Sequence, residues 1–108
     1  MSAVRPEPGW PDRSDSRIGL GCMRLSTDED RNEDRALATV AAAVEARTTI
    51  FDTARAYGRG EHELGHNERL LARALRLCGG AGGAKVVTKG GMARPGGAWV
   101  CSRDITIG

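Results

Sequence analysis

Apolar residues recur along this chain at two spacings, and the spacings divide it into short strands and longer helices. Leu37, Val40, Ala41 and Val44 return every three or four residues with alanines in the gaps, which predicts an amphipathic helix over 32–46. A second stripe, Leu70, Leu71, Ala74, Leu75 and Cys78, predicts another helix over 67–77, closed by the Gly-rich connector 79–83. Shorter β-forming runs lie before, between and after these helices, at 17–23, 49–51 and 85–88. The acid-rich stretch 26–32 reads as a polar turn suited to the positive end of the helix that follows. The order strand, helix, strand, helix, strand, with helices long enough to cross over between parallel strands, predicts an α/β fold on a parallel sheet. Residues 1–16, with three prolines, read as a flexible leader, and 92–108 as a Pro/Gly loop running into a short tail without a helix.

Composition narrows the function classes. A chain of 108 residues suits one domain with a moderate core. Its net charge of +2 comes from intermixed acids and bases, which makes no basic stripe and speaks against nucleic acid. The longest apolar run, 40–44, is too short to cross a bilayer, and the N-terminus has no apolar segment of the secretory kind. Cys22, Cys78 and Cys101 are odd in number and widely spaced, so they fit neither a disulfide framework nor a zinc ribbon and suggest a cytoplasmic protein. Gly19 and Gly21 invite close approach by a neighbour or ligand, but no third glycine follows at dinucleotide-binding spacing and no helix is expected to start there.

Two constellations carry candidate chemistry. The run His62-Glu63-Leu64-Gly65-His66 fits H-E-x-x-H, in which two histidines one helical turn apart hold zinc and the Glu activates a bound water. A zinc metalloprotease needs a third protein ligand, however, and these are the chain's only histidines. Tyr57-Gly58-Arg59-Gly60 is also a poor start for the helix that motif requires. The second constellation is Asp52 at the end of the second strand, Tyr57 in the loop behind it and Lys89 at the end of the third strand. In a parallel sheet those ends open on one face, where active sites form. A Lys beside an Asp forms an ion pair, and an ammonium near a phenol stabilises the phenolate, which equips a tyrosine for general acid work. Taken singly, each has a plain alternative: a turn-capping Asp, an exposed loop Tyr, a solvated Lys. Three together at matched strand ends favour the functional reading.

These residues resemble a family. Phe51-Asp52-Thr53-Ala54 with Tyr57-Gly58, then Asn67-Glu68-Arg69-Leu70-Leu71 and Val87-Thr88-Lys89, look like the N-terminal part of aldo-keto reductases. Ile18-Gly19-Leu20-Gly21-Cys22-Met23 resembles that family's first strand, and Arg94-Pro95-Gly96-Gly97 with Trp99-Val100 resembles a stretch of some branches. The resemblance spans about 17–100 and implies an NADP(H)-dependent oxidoreductase on a (β/α)₈ TIM barrel. It implies hydride transfer between nicotinamide and a small carbonyl or alcohol substrate, with Tyr57 as general acid/base and Lys89, paired with Asp52, supporting it. It also implies that Gly21, Cys22, Met23 and Asp52 border the nicotinamide half of the cofactor.

The chain departs from that pattern in ways that shape the expectation. A complete barrel of this kind takes roughly 250 residues and eight strands, whereas the reading here yields the first three β/α units, an incomplete barrel. The family's catalytic histidine, at the end of its fourth strand, has no counterpart, and the tail 101–108 diverges. Arg47 stands where the family usually ends its first helix with Gly, a strained choice if the backbone takes a positive φ. The expectation is a truncated reductase segment, marginally stable and silent by itself, with open sheet edges available for self-association. The alternative is a non-enzymatic remnant or partner-binding fragment.

Overall fold

A computed structural model describes residues 12–101. Three short strands, β1 (Leu20–Gly21), β2 (Ile50–Asp52) and β3 (Lys85–Val87), form a parallel sheet in the order β1-β2-β3. Helix α1 (Arg24–Thr27) and helix α2 (Glu33–Glu45) connect β1 to β2, and α3 (His66–Leu77) connects β2 to β3. A second, antiparallel pair, β4 (Met92–Ala93) and β5 (Val100–Cys101), closes a hairpin over a 3₁₀ turn at Pro95–Gly97.

The long helices follow the apolar periodicity. Asn32 caps α2, its side chain accepting from the Arg35 amide at 2.9 Å, and Glu33 and Asp34 in the first turn face the positive end of the helix dipole. Val40 from α2, and Leu71, Ala74 and Leu75 from α3, bury against Phe51 of β2 and Cys22 at the end of β1. Phe51 is wholly buried and sits at the centre of this core.

Both long helices end in the same motif. At α2 the amide of Arg47 bonds the Val44 carbonyl and that of Thr48 the Ala43 carbonyl, each at 2.9 Å. At α3 the amide of Gly79 bonds Arg76 and that of Gly80 bonds Leu75. The pivot must be left-handed, and it is Gly79 (φ 77°) in one helix and Arg47 (φ 70°) in the other. The strain expected at Arg47 is therefore present, on the order of 1–2 kcal/mol for a residue with a Cβ.

Three stretches differ from expectation. The strand over 17–23 shortens to Leu20–Gly21, and α1 begins at Arg24, where no helix was expected. Its anchor is tertiary: Ser26 is wholly buried and receives a hydrogen bond from the Asn67 side chain at 2.8 Å. The 92–101 stretch is a hairpin rather than a plain loop, with left-handed Gly96 and Gly97 turning the chain and the Arg94 side chain binding across it. Within the proline-rich leader, residues 1–11 lie outside the described residues, as do 102–108 of the tail. Residues 12–16 are tied down, because Ser16 exchanges hydrogen bonds with Thr49 and Asp15 accepts from Thr49 and Lys85.

Candidate active site

Parallel pairing continues past the formal strand ends and gathers the site. The amide of Cys22 bonds the Asp52 carbonyl (2.9 Å), that of Thr53 the Val87 carbonyl (2.8 Å) and that of Arg55 the Lys89 carbonyl (3.1 Å). Asp52 and Lys89 thus emerge on one face. A tight turn, with the Tyr57 amide on the Ala54 carbonyl at 3.2 Å, brings the phenol back over them. Gly58 lets this loop close: a Cβ there would lie 2.7 Å from the Glu63 Cβ.

Lys89 Nζ donates to Asp52 Oδ1 at 2.5 Å and to the Thr53 carbonyl at 2.6 Å, and stands 3.4 Å from the Tyr57 hydroxyl and 5.1 Å from its ring centre. Partial burial opposes the Lys89 charge, yet hydrogen bonds to Asp52 and Tyr57 outweigh it and hold its pKa above the ordinary lysine value. The Asp52 and Lys89 side chains are about half exposed, at 47% and 46%, so this ion pair faces the opening and not the core. All three residues expected from sequence meet.

A model of the aldo/keto reductase family matches residues 17–104, entering the tail expected to diverge from 101. The chain belongs to the aldo/keto reductase family. It is also similar to the crystal structure of a candidate aldo-keto reductase from Pseudomonas aeruginosa, at 29% identity and a TM-score of 0.63, covering 81% of this chain. The chain spans 31% of that protein's length, so the parallel sheet described here corresponds to part of a TIM barrel.

Within this aldo/keto reductase segment the residues expected to border a cofactor divide. Gly21 is exposed, and a Cβ there would meet nothing within 4 Å; Met23 is 42% exposed beside it. Cys22 is wholly buried, its amide taken by Asp52 and its carbonyl by the Asn67 side chain at 2.8 Å. Burial, with the nearby Asp52 charge, pushes its thiol up to about 11, so it stays protonated and inert near neutrality.

The H-E-x-x-H match dissolves in three dimensions. His62 sits in a 3₁₀ turn, Glu61–Glu63, and His66 opens α3, with a left-handed Gly65 between them (φ 84°). No helical face therefore presents both rings, and no group of three or more potential ligands that could hold a metal occurs among the described residues. Glu63 instead takes a two-pronged hydrogen bond from Arg31, at 2.6 and 2.5 Å, which with the Arg59 amide holds its carboxyl down to about 2 against the opposing effect of burial. A carboxylate so held makes a poor base.

Three supporting residues appeared in the sequence reading only as parts of matched motifs, with no role at the site. Asn67, 1% exposed, donates to the Cys22 carbonyl and Ser26 Oγ and accepts from Thr53 Oγ1 at 2.5 Å, so one amide joins the ends of β1 and β2 and α1. A polar residue in line with the apolar stripe of α3 was its visible signal. Arg94 and Trp99 adjoin Tyr57 through the hairpin, the Trp99 ring standing edge-on to Tyr57 at 6.3 Å. No local spacing announces that contact.

Proposed function

We propose that this segment carries the proton-transfer half of an NADP(H)-dependent carbonyl reductase site, with Tyr57 as general acid and base. The observation that supports it is the Lys89 ammonium held between Asp52 and the Tyr57 hydroxyl at the mouth of the sheet. A carbonyl oxygen seated at the phenol accepts the Tyr57 proton as it gains negative charge, and Lys89 stabilises the phenolate left behind. Asp52 keeps Lys89 aimed and balances its charge, and in alcohol oxidation the same proton returns to Tyr57. When bound, the nicotinamide supplies the hydride that the substrate carbon receives. Gly21, Met23 and Asp52 would border it, since the surface at Gly21 is open to close approach; Cys22 contributes place more than contact, its backbone groups being already engaged.

The reading extends to a small carbonyl or alcohol as substrate and to the cytoplasm as location, the latter supported by three free cysteines. No helix among the described residues is long and apolar enough to cross a membrane. The 108-residue chain alone is catalytically silent in this reading, because three strands leave the site open on the sides that a closed barrel covers. The decisive experiment grafts residues 17–101 onto the remainder of the Pseudomonas protein and follows aldehyde-dependent NADPH oxidation. Tyr57→Phe is expected to lower the rate by about 10²–10⁴-fold; an undiminished rate sinks the assignment. Saturable NADPH binding and turnover by the chain alone would overturn its silence.

A second reading rests on the sheet edges. Among the described residues nothing pairs with the outer side of β1 or β3, and Ile18 and Val86 are 79% and 49% exposed there. Open edges of this kind add strands from another chain, which supports self-association or partner binding. Light scattering over a concentration series tests it, and a monomer at every concentration removes it.

A further inference from the structure

Arg94 is 4% exposed, and among the described residues no carboxylate pairs with its guanidinium. A buried cation needs its donors satisfied, and here backbone carbonyls do so. Nη1 donates to the carbonyls of Ala56 and Gly58, both at 2.7 Å; Nε donates to Ala98 at 2.8 Å and Nη2 to Gly97 at 2.9 Å. Ala56 and Gly58 are the two residues flanking Tyr57. The other prongs hold the hairpin turn, and the guanidinium stacks on the Trp99 ring, 3.5 Å from its centre. Trp99 in turn stands edge-on to the Tyr57 ring. Arg94 thus grips Tyr57 from its backbone on both sides and from its ring through Trp99, while its own amide is anchored on Glu61 Oε1 at 2.5 Å.

We propose that Arg94 is a positioning residue for Tyr57: it sets the distance between phenol and the Lys89 ammonium without touching either. The planar fork explains the residue type. Its donors diverge in one plane and can reach four carbonyls on two loops, whereas a lysine offers its donors from a single point. The inference rests on Tyr57 being the proton-transfer group, but its test does not depend on turnover.

Tyr57 is the only tyrosine, so 3-fluorotyrosine incorporated into the 108-residue chain gives one ¹⁹F resonance. Lys89→Met is expected to move that resonance. In an Arg94→Met background the same Lys89 change is expected to move it less than half as far, because the phenol no longer sits against the ammonium. Arg94→Lys is the second variant, expected to keep the fold and restore little of the coupling. The amide resonances of α2 and β2 serve as the folding control and are expected to stay in place. An equal Lys89-induced shift in both backgrounds overturns the proposal. So does collapse of the α2 and β2 resonances in both Arg94 variants, which would make the residue a general prop. Tyr57→Phe in the grafted enzyme tests the catalytic reading separately, so the two ideas can fail independently.

Discussion

The chain has only two lysines, and they stand at opposite ends of β3, each paired with aspartate. Lys85 reaches Asp15 at 2.8 Å and Asp12 at 3.6 Å, and Asp15 also accepts from the Thr49 hydroxyl and the Asp12 amide. The Asp15 side chain is 2% exposed, and every other group bonded to this lysine–aspartate pair is an acid, a hydroxyl or backbone. Lys89 differs in one decisive neighbour, the Tyr57 phenol at 3.4 Å, and in an opening that leaves ion pair and phenol accessible. The same pair of residue types closes the chain together at one end and, in the proposed function, prepares a proton donor at the other. An ion pair becomes chemistry only when a third titratable group shares its field and a substrate can reach it.

The contrast breaks most directly on rate. In the grafted enzyme Lys89→Met is expected to lower carbonyl reduction by about 10²–10⁴-fold, and Lys85→Met to leave it near the parent value. Equal losses in steady-state assays would erase the distinction. A third ion pair sharpens it. Arg31–Glu63 supports the Tyr57 loop without touching the phenol, and the Glu63 carboxyl is depressed to about 2 from its ordinary 4.5. A group depressed by folding adds stability above its unfolded pKa and loses it as pH falls through the folded one. Urea midpoints measured between pH 7 and 2 should therefore fall in that window. Glu63→Gln should flatten the fall and cost at most on the order of 3 kcal/mol at neutral pH.

Two smaller effects belong to the Lys85 end. Arg47 precedes Thr49, whose carbonyl receives the Lys85 amide, and Arg47→Gly is expected to stabilise by roughly 1 kcal/mol by relieving the left-handed strain. The matching helix end at Gly79 gains nothing by the same logic, and thermal melts of Arg47→Gly and Gly79→Ala should move in opposite directions. Last, Lys85→Met should lower the melting temperature more than Lys89→Met does, since Asp15 is buried and Asp52 half exposed. The hydrogen bond with Lys85 depresses the Asp15 carboxyl below its ordinary value and lifts Lys85 above its own. That contribution persists across neutrality and is lost in acid, as pH drops below the usual carboxylate range, and again in strong base, as pH rises through the elevated lysine value. A reversed ranking of the two melts would show that Lys89 is chiefly a fold residue.

Much of the frame was legible because it is periodic or local. Leu37, Val40 and Val44 repeat at helical spacing, Leu70, Leu71 and Leu75 likewise, and both helices lie within a residue or so of the expected bounds. The candidate trio was legible because strand ends in a parallel sheet share one face, so Asp52, Tyr57 and Lys89 could be brought together on topology alone. Helix α1 was not legible, because Ser26 is held by Asn67, which lies 41 residues away along the chain. The hairpin was hidden for the same reason: its order comes from Arg94 binding carbonyls 36 and 38 residues earlier. The false zinc motif failed on one glycine, Gly65, whose left-handed turn no five-residue pattern reports.

By itself the sequence determined the strand and helix order, the core face of each helix and the chemical types at the sheet's mouth. These follow from side-chain periodicity and from the rule that parallel strands end together. Only the tertiary structure decided that Lys85 closes on Asp15 and Asp12, that Cys22 is spent on the core, and that a buried arginine brackets Tyr57. Those outcomes depend on carbonyls and rings brought close by the fold, and a carbonyl's availability is written in no residue's identity.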